Sequence, residues 1–276
     1  MLKDRKLDFI ADRRKREQYF KMHHSHFHPY YEIYYLYSGK RRIFVNDTLY
    51  TLNRGDMVLI HKNVLHRTTF ISDETHERFA INFSDKYLNS LFDEYSKETI
   101  LACFTHPFLT IHYNRREYIE DIFKKLIYES NHLDDFSEHL IHNYLQELII
   151  FLLRYQKNEA QSQIPLNLTD EVIQNTAKYI RTNYNQPITL DIAAQYANMS
   201  TTYFSKKFKA VTGFGFKEYL CKIRLTEASK LLLETNNSIT DIAFSCGFSD
   251  SNYFGDVFKK LKGISPLQYR KTNELV

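Results

Sequence analysis

The C-terminal half of the chain contains an internal repeat, and no other sequence feature restricts the fold as strongly. At an offset of 50 residues, nine positions between residues 191 and 219 are identical to their counterparts between residues 241 and 269. The identities include Asp191–Ala193, which recurs as Asp241–Ala243. Self-similarity at a fixed offset indicates that one small structural unit occurs twice. The repeat therefore predicts a half-chain built from two copies of one unit.

Each copy has the pattern of a helix-turn-helix. The first copy predicts a helix at Leu190–Ala197, followed by a tight turn and a second helix capped by Ser200. The second copy predicts a helix at Thr240–Cys246 and a second helix capped by Asp250. A longer helix at Phe216–Glu234 joins the two copies. The C-terminal half as a whole predicts about seven helices with turn residues between them.

The second helix of each copy has an outward face of small polar residues and lysines. These residues are Thr201, Thr202, Ser205, Lys206 and Lys209 in the first copy and Ser251, Asn252, Gly255, Asp256 and Lys259 in the second. Such a face suits the DNA major groove, where Ser, Thr and Asn reach base edges and lysines neutralise phosphates. Two such helices would read major-groove segments roughly one helical turn apart. A helical bundle with a solvated face is the alternative.

The segments Ile239–Phe254 and Phe258–Arg270 resemble the signature of the AraC/XylS family of transcriptional regulators. The resemblance covers about Val172–Lys271 and implies two helix-turn-helix subdomains bridged by a shared helix. It implies that the partner is a promoter operator in double-stranded DNA. If the protein is an activator, RNA polymerase is a second partner. The base-facing positions that it implies are Thr202, Ser205 and Lys206 in the first motif and Ser251, Asn252, Gly255 and Asp256 in the second.

The N-terminal half predicts an antiparallel sandwich or barrel, so the fold class is α+β. Between Pro29 and Phe83, short runs of β-branched and aromatic residues alternate with turn residues. The runs are Glu32–Ser38, Arg42–Val45, Thr48–Leu52, Asp56–Ile60 and Arg78–Phe83. From Arg115 to Tyr155 the pattern becomes that of two amphipathic helices.

These patterns divide the chain into four parts. Residues 1–114 form the barrel, residues 115–156 the helical pair, residues 157–169 a polar linker and residues 170–276 the DNA-binding domain. The second helix of the pair carries an apolar stripe of Leu145, Leu148, Ile149 and Leu152. The stripe predicts either the contact of a homodimer or packing against the barrel.

Charge and histidine separate along the chain. The whole net charge of +4 lies after residue 164, whereas all 12 histidines lie between His23 and His142. The basic excess favours nucleic acid as a partner of the C-terminal half, although a charge this small also fits an ordinary soluble surface. The sequence shows no signal peptide, transmembrane segment or metal-type cysteine pattern, and we expect a cytoplasmic protein without a membrane partner.

The histidine-rich half contains the pattern His26-x-His28-x3-Glu32, with His66 further along. The pattern resembles the two motifs of the cupin barrel, and in metal-binding cupins the positions matching His26, His28, Glu32 and His66 are metal ligands. On a strand, His26, His28 and Glu32 would share one face. Three imidazoles and a carboxylate suit divalent iron, manganese, nickel or zinc.

Three interpretations of this cluster remain open: a metal site, a polar effector pocket, or hydrogen bonding within a barrel that binds nothing. The predicted effector-binding residues are His26, His28, Glu32, Tyr34, Arg42 and His66. Aromatic walls with a few hydrogen-bonding groups suit a sugar-like molecule. The leading hypothesis is a one-component transcriptional regulator that responds to such a molecule. The alternative is a metal-dependent cupin enzyme or a metal sensor with an accessory DNA-binding domain.

The two motifs differ at two positions that bear on DNA binding. At the offset of 50 residues, Ala197 stands in the turn where the second motif has Gly247. Asp256 stands where a basic or neutral residue is expected, because a carboxylate repels phosphate and only accepts hydrogen bonds from bases. We therefore expect the first motif to supply more of the sequence-specific affinity.

This difference predicts unequal effects of two substitutions. Lys206→Ala is expected to lower site-specific DNA binding more than Asn252→Ala, because Lys206 lies on the motif without the carboxylate. Titration of both variants against one operator fragment at fixed salt measures the difference. Equal losses of affinity would contradict the ranking of the motifs.

Overall fold

The computed structural model describes residues 8–16, 28–69, 75–158 and 168–273. The chain separates into two compact units, divided between residues 165 and 166, with residues 47–49 grouped with the second unit. Among the described helices, none has the length and apolar character required to cross a membrane.

The first unit contains two antiparallel sheets. Its strands are β1 (Phe9–Arg16), β2 (Tyr31–Ser38), β3 (Arg41–Val45), β4 (Thr48–Leu52), β5 (Asp56–Ile60), β6 (His66–Thr69), β7 (His76–Phe83) and β8 (Phe108–Thr110). The larger sheet has the order β1-β7-β2-β5-β8 and the smaller has the order β4-β3-β6. The α+β class is confirmed, but the described strands form two separate sheets rather than one closed barrel.

The predicted strands all form, and three further strands were missed. The highly charged strand β1 pairs with β7 along its whole length, at the edge of the larger sheet. An edge strand tolerates charged residues because one of its sides is unpaired, so its sequence lacks the usual apolar alternation. Strand β6 is one of the three, and His66 is its first residue. Strand β8 is too short to give a pattern.

The two faces of the larger sheet pack against different partners. Along β2, the residues Tyr31, Ile33 and Tyr35 belong to the core between the sheet and the helices. Tyr34 and Leu36 belong to the core between the two sheets. Because side chains alternate along a strand, Glu32 lies on the same face as these last two residues. We call the face toward the smaller sheet the inner face.

Helices cover the other face of the larger sheet. They are α1 (Asn89–Glu94), α2 (Lys97–Leu101), α3 (Tyr113–Asn131) and α4 (Ser137–Asn158). The two amphipathic helices are thus confirmed as α3 and α4. The apolar stripe Leu145, Leu148, Ile149 and Leu152 is fully buried in the core beneath the helices. Of the two roles predicted for the stripe, packing against the sheet is the observed one, and the stripe is not available to a partner chain.

The second unit is helical throughout its described part. Its seven helices are α5 (Leu168–Thr182), α6 (Leu190–Tyr196), α7 (Thr201–Thr212), α8 (Phe216–Glu234), α9 (Ile239–Ser245), α10 (Ser251–Lys262) and α11 (Pro266–Asn273). The predicted N-caps are confirmed, since the side chains of Ser200 and Asp250 accept hydrogen bonds from the backbone of α7 and α10. Helices α4 and α5 extend into both ends of the predicted linker, and residues 159–167 lie outside the described residues.

The first helices of the two motifs correspond at an offset of 49 residues rather than 50. The backbone N–H of Met199 donates to the carbonyl of Ala194, and that of Phe248 donates to the carbonyl of Ala243. Four residues separate α6 from α7, whereas five separate α9 from α10. The second turn is therefore one residue longer, and a constant offset pairs the wrong residues before it.

The corrected alignment pairs Gly247 with Asn198 rather than with Ala197. Asn198 has φ of +54° and Gly247 has φ of +86°, so both turns contain one left-handed residue at the end of the first helix. Asparagine is one of the few residues other than glycine that adopt this conformation readily. The expected difference between Ala197 and Gly247 is wrong, because Ala197 has ordinary right-handed angles.

Substitutions at these two turns are expected to have unequal effects on stability. Gly247→Ala should lower the free energy of unfolding by about 1–3 kcal/mol, since a Cβ atom would be strained at this φ and would lie 2.9 Å from the backbone of Asn185 and Tyr184. Asn198→Gly should change it by less than about 1 kcal/mol. Chemical denaturation of the full chain measures both. An unchanged free energy for Gly247→Ala would show that the turn relaxes around the added methyl group.

Candidate effector site and DNA interface

Three of the predicted site residues meet on the inner face of the first unit. His28 Nε2 lies 3.0 Å from Glu32 Oε2, and His66 Nε2 lies 3.3 Å from the same oxygen. The two imidazole rings are edge to face, with centroids 5.0 Å apart. Glu32 comes from the larger sheet and His66 from the smaller one, so the contact joins the two sheets. We call these three residues the His–Glu–His cluster.

The strand explanation for this cluster was only partly correct. His28 precedes β2, and the chain bends at Pro29 and Tyr30 before the strand begins. His28 reaches Glu32 because of this bend and not because the two residues share a strand face. His26 lies outside the described residues, so the predicted four-residue set is represented by three.

Backbone carbonyls fix the orientation of both imidazoles. His28 Nδ1 lies 3.0 Å from the Tyr30 carbonyl oxygen, and His66 Nδ1 lies 2.8 Å from the Val64 carbonyl oxygen. Because a carbonyl oxygen only accepts hydrogen bonds, each Nδ1 carries a proton and donates it. In a neutral imidazole, Nε2 then presents a lone pair. Both lone pairs would face the Glu32 carboxylate, which is favourable only when a proton or a metal cation lies between them.

Electrostatics keep the carboxyl group of this cluster ionised. Burial by itself raises the pKa of Glu32, because a charged carboxylate loses its hydration. The hydrogen bonds and the positive charge of His28 and His66 outweigh burial and hold the pKa of Glu32 well below its ordinary value. Glu32 is therefore a carboxylate whose negative charge faces the Nε2 atoms of both histidines.

The remaining predicted effector residues lie on different faces. Tyr34 is buried on the inner face, and burial raises its pKa to about 12, so its hydroxyl stays protonated. Arg42 lies on the opposite face of β3 from Ile43, which is part of the inner core. The residue that shares the inner face with Ile43 is the buried Arg41. Sequence alternation within β3 identifies Arg41 once the face of Ile43 is known.

The second helices of the two motifs have the same pattern of burial. Phe204 and Phe208 of α7 are fully buried, and so are Phe254 and Phe258 of α10. The ten predicted outward residues are exposed or half-buried, namely Thr201, Thr202, Ser205, Lys206, Lys209, Ser251, Asn252, Gly255, Asp256 and Lys259. Both helices thus present one continuous polar face.

Two exposed tyrosines on these helices were missed by the sequence reasoning. Tyr203 is 52% exposed and Tyr253 is 56% exposed, at equivalent positions in the first turn of α7 and α10. The repeated Tyr-Phe pair contains the signal, since Phe204 and Phe254 turn inward and their neighbours must turn outward. The hydroxyl of Thr201 donates to Asp191 on α6 at 2.8 Å, which ties the start of α7 to the first helix of its motif.

Comparison with known families identifies both units. A family model described as "AraC-like ligand binding domain" matches residues 11–149, and one described as "Helix-turn-helix domain" matches residues 193–272. The chain belongs to the AraC family of transcriptional regulators. This AraC-family protein is a DNA-binding regulator with a ligand-binding domain, and its relatives are regulators rather than enzymes.

Individual relatives of this AraC-family regulator are distant. It is 24% identical over 253 residues to the HTH-type transcriptional activator RhaR of Salmonella arizonae, which covers 89% of this chain and 86% of the relative. An apo structure of a ToxT variant from Vibrio cholerae is similar over 95% of this chain and 97% of its own, with 16% identity and a TM-score of 0.42. The DNA-binding domain of AdpA, solved with target DNA, is 24% identical over 36% of this chain and 90% of its own, with a TM-score of 0.36.

Proposed function

We propose that this AraC-family regulator binds a small polar molecule, sugar-like in character, on the inner face of its first unit. The supporting observation is that Glu32, Tyr34 and His66 are placed between two sheets, where an ordinary core would be apolar. Polar groups in such a place have to be satisfied, and convergent polar groups among aromatic walls are typical of ligand sites. The Glu32 carboxylate would accept hydrogen bonds from ligand hydroxyls, and His28 would accept or donate one. His26 stays a predicted member of the site, whereas Arg42 is not one because it lies on the opposite face of β3.

We infer that the polar faces of α7 and α10 contact bases and phosphates of a promoter operator. Thr202, Ser205 and Lys206 of the first motif would face base edges, and so would Ser251, Asn252, Gly255 and Asp256 of the second. Glycine has no side chain, so Gly255 would only allow close approach to the DNA. Lys209 and Lys259 lie in the last turns of these helices and would neutralise phosphates. Thr201 would position the start of α7.

A methylation-interference experiment tests this proposal. Guanine N7 lies in the major groove, so its methylation blocks a recognition helix there. On the promoter DNA next to its gene, the full-length protein is expected to show two groups of interfering guanines about 10 base pairs apart on one face of the duplex. A single group, or interference confined to minor-groove positions, would contradict the use of both motifs.

We further propose a homodimer that forms through the outer faces of α3 and α4. Since the apolar stripe of α4 is buried, the contact would use the groove of about 790 Å³ on the opposite side. Its lining includes the exposed Tyr118 and Ile150 together with Phe151, Arg115 and Arg154. This proposal assigns residues 1–114 to effector binding, 115–156 to dimerisation and 170–276 to DNA. The protein would act in the cytoplasm, as an activator that contacts RNA polymerase.

A metal sensor is the second candidate function, and the geometry of the His–Glu–His cluster favours it. Three ligand atoms of His28, Glu32 and His66 lie within 4.8 Å of one another. Both Nδ1 atoms already donate to backbone carbonyls, which is how metal-binding histidines are oriented. The donor set therefore fits a divalent ion of iron, manganese, nickel or zinc. A bound ion would neutralise Glu32 and remove the conflict between its charge and the Nε2 lone pairs.

Elemental analysis of the full-length protein, purified without chelator or affinity metal, tests this candidate. Close to one metal ion per chain is expected, with loss of the metal in His28→Ala. His106→Ala is a matched control, because His106 is exposed and lies outside the cluster. Metal-free wild-type protein would exclude the metal sensor and leave protons as the cations of the cluster.

A further inference from the structure

A second polar region lies on the inner face of the first unit. Tyr34 lies between this region and the His–Glu–His cluster. It consists of Arg16, Arg41 and Arg78, with His76 beside them, and we call the three arginines the arginine cluster. Arg41 and His76 are buried, and the other two arginines are half-buried. Charged side chains rarely occupy a position between two sheets.

Strand register brings the cluster together. In the larger sheet, Arg78 of β7 lies opposite Leu36 of β2, which belongs to the inner core. Arg16 of β1 lies opposite His76 of β7. Because His76 is two residues before Arg78, the two residues share one face of the strand. The guanidinium carbon of Arg78 lies 5.7 Å from the ring centre of Tyr34.

The smaller sheet contributes Arg41, which lies near His76 at the start of β7. The turn that leads into β3 contains Gly39 with φ of +82°, and a Cβ atom there would lie 2.9 Å from the Cα and Cβ atoms of His76. This close approach holds the start of β3 against the start of β7. Arg41, two residues after Gly39, therefore enters the inner face next to His76.

The electrostatic consequences agree with this placement. Burial lowers the pKa of His76 to about 4, and the charges of Arg41, Arg78 and Arg16 contribute in the same direction. Burial also lowers the pKa of Arg41, with a contribution from Arg78 and Arg16. Asp12 accepts from Arg78 at 2.5 Å and from Arg14 at 2.8 Å, so its one negative charge is shared. The three guanidinium groups thus act on His76 with the same sign.

We propose that the effector of this regulator carries an oxyanion, a carboxylate or a phosphate, that binds between Arg41, Arg78 and Arg16 on the inner face. This inference rests on the proposed effector function and specifies the chemical class of the ligand. Guanidinium groups match the geometry of such oxyanions through paired hydrogen bonds. His76 beside the arginines and Tyr34, whose ring centre lies 5.7 Å from the guanidinium carbon of Arg78, would contact the rest of the molecule.

Thermal unfolding of the full-length chain tests the proposal. The midpoint is measured in inorganic phosphate, a hexuronate, a hexose 6-phosphate and a neutral hexose, each against sodium chloride at equal ionic strength and pH. For wild type, an oxyanion at about 100 times its Kd is expected to raise the midpoint by on the order of 5 °C. The hexuronate and the hexose 6-phosphate distinguish a carboxylate from a phosphate source.

Arg41→Met is expected to abolish this increment, because it removes the guanidinium group that lies deepest in the cluster. Arg13→Met is the matched control, since Arg13 lies on the other face of β1 and pairs with Glu77. It should keep the full increment relative to its own chloride value. If Arg41→Met does not fold, Arg41→Lys replaces it in the experiment. The oxyanion should then raise the melting midpoint by less than half of the wild-type increase.

Two outcomes would overturn the inference. The first is an equal increase in melting midpoint for wild type and the Arg41 variant, whether Arg41→Met or Arg41→Lys is used. This result would place the anion elsewhere on the chain. No increment with any oxyanion would exclude the site. If only the neutral hexose stabilises the chain and shifts its operator affinity, the effector function stands and the oxyanion is excluded. If no molecule in the series does either, the proposed sugar-like effector fails together with this inference.

Discussion

The alternation of side chains along β2 and β7 is the constraint on which the first unit depends. One set, including Tyr31, Ile33 and Phe79, packs against α3 and α4 and forms the larger core. The other set faces the smaller sheet and includes Glu32, Tyr34 and Arg78. A one-residue shift in register would exchange the two sets and bury the charges under the helices. The same pattern therefore stabilises the fold and creates the polar inner face.

The second unit depends on packing around one shared helix. Tyr219, Leu225, Ala228 and Leu232 of α8 are buried, and the last three belong to the core that holds the second motif. Tyr219 packs edge to face on Phe208 of the first motif. Phenylalanines thus anchor both α7 and α10 on the inside, which leaves their polar faces exposed. Both motifs bury the same pair of phenylalanines in their second helices, whereas most outward positions of α7 and α10 differ.

The sequence predicted the second unit better than the first. Repeats, caps and the shared helix are local signals, and they placed α6 to α10 within about one residue. The extra residue in the second turn could not be seen, because identities on both sides of it support a constant offset. In the first unit, β1 was missed because a charged edge strand has no apolar alternation. Arg41 was missed in favour of Arg42 because the face of a strand depends on its partner sheet.

The central claim is that occupancy of the inner face changes DNA binding. Fluorescence anisotropy of an operator fragment with the full-length protein measures this directly, using the hexose, hexuronate or hexose phosphate that stabilises the chain most. We predict that saturating ligand changes the operator Kd by at least about fivefold, and that operator changes the ligand Kd by the same factor. An operator Kd that is identical with the inner face empty and saturated would contradict the account.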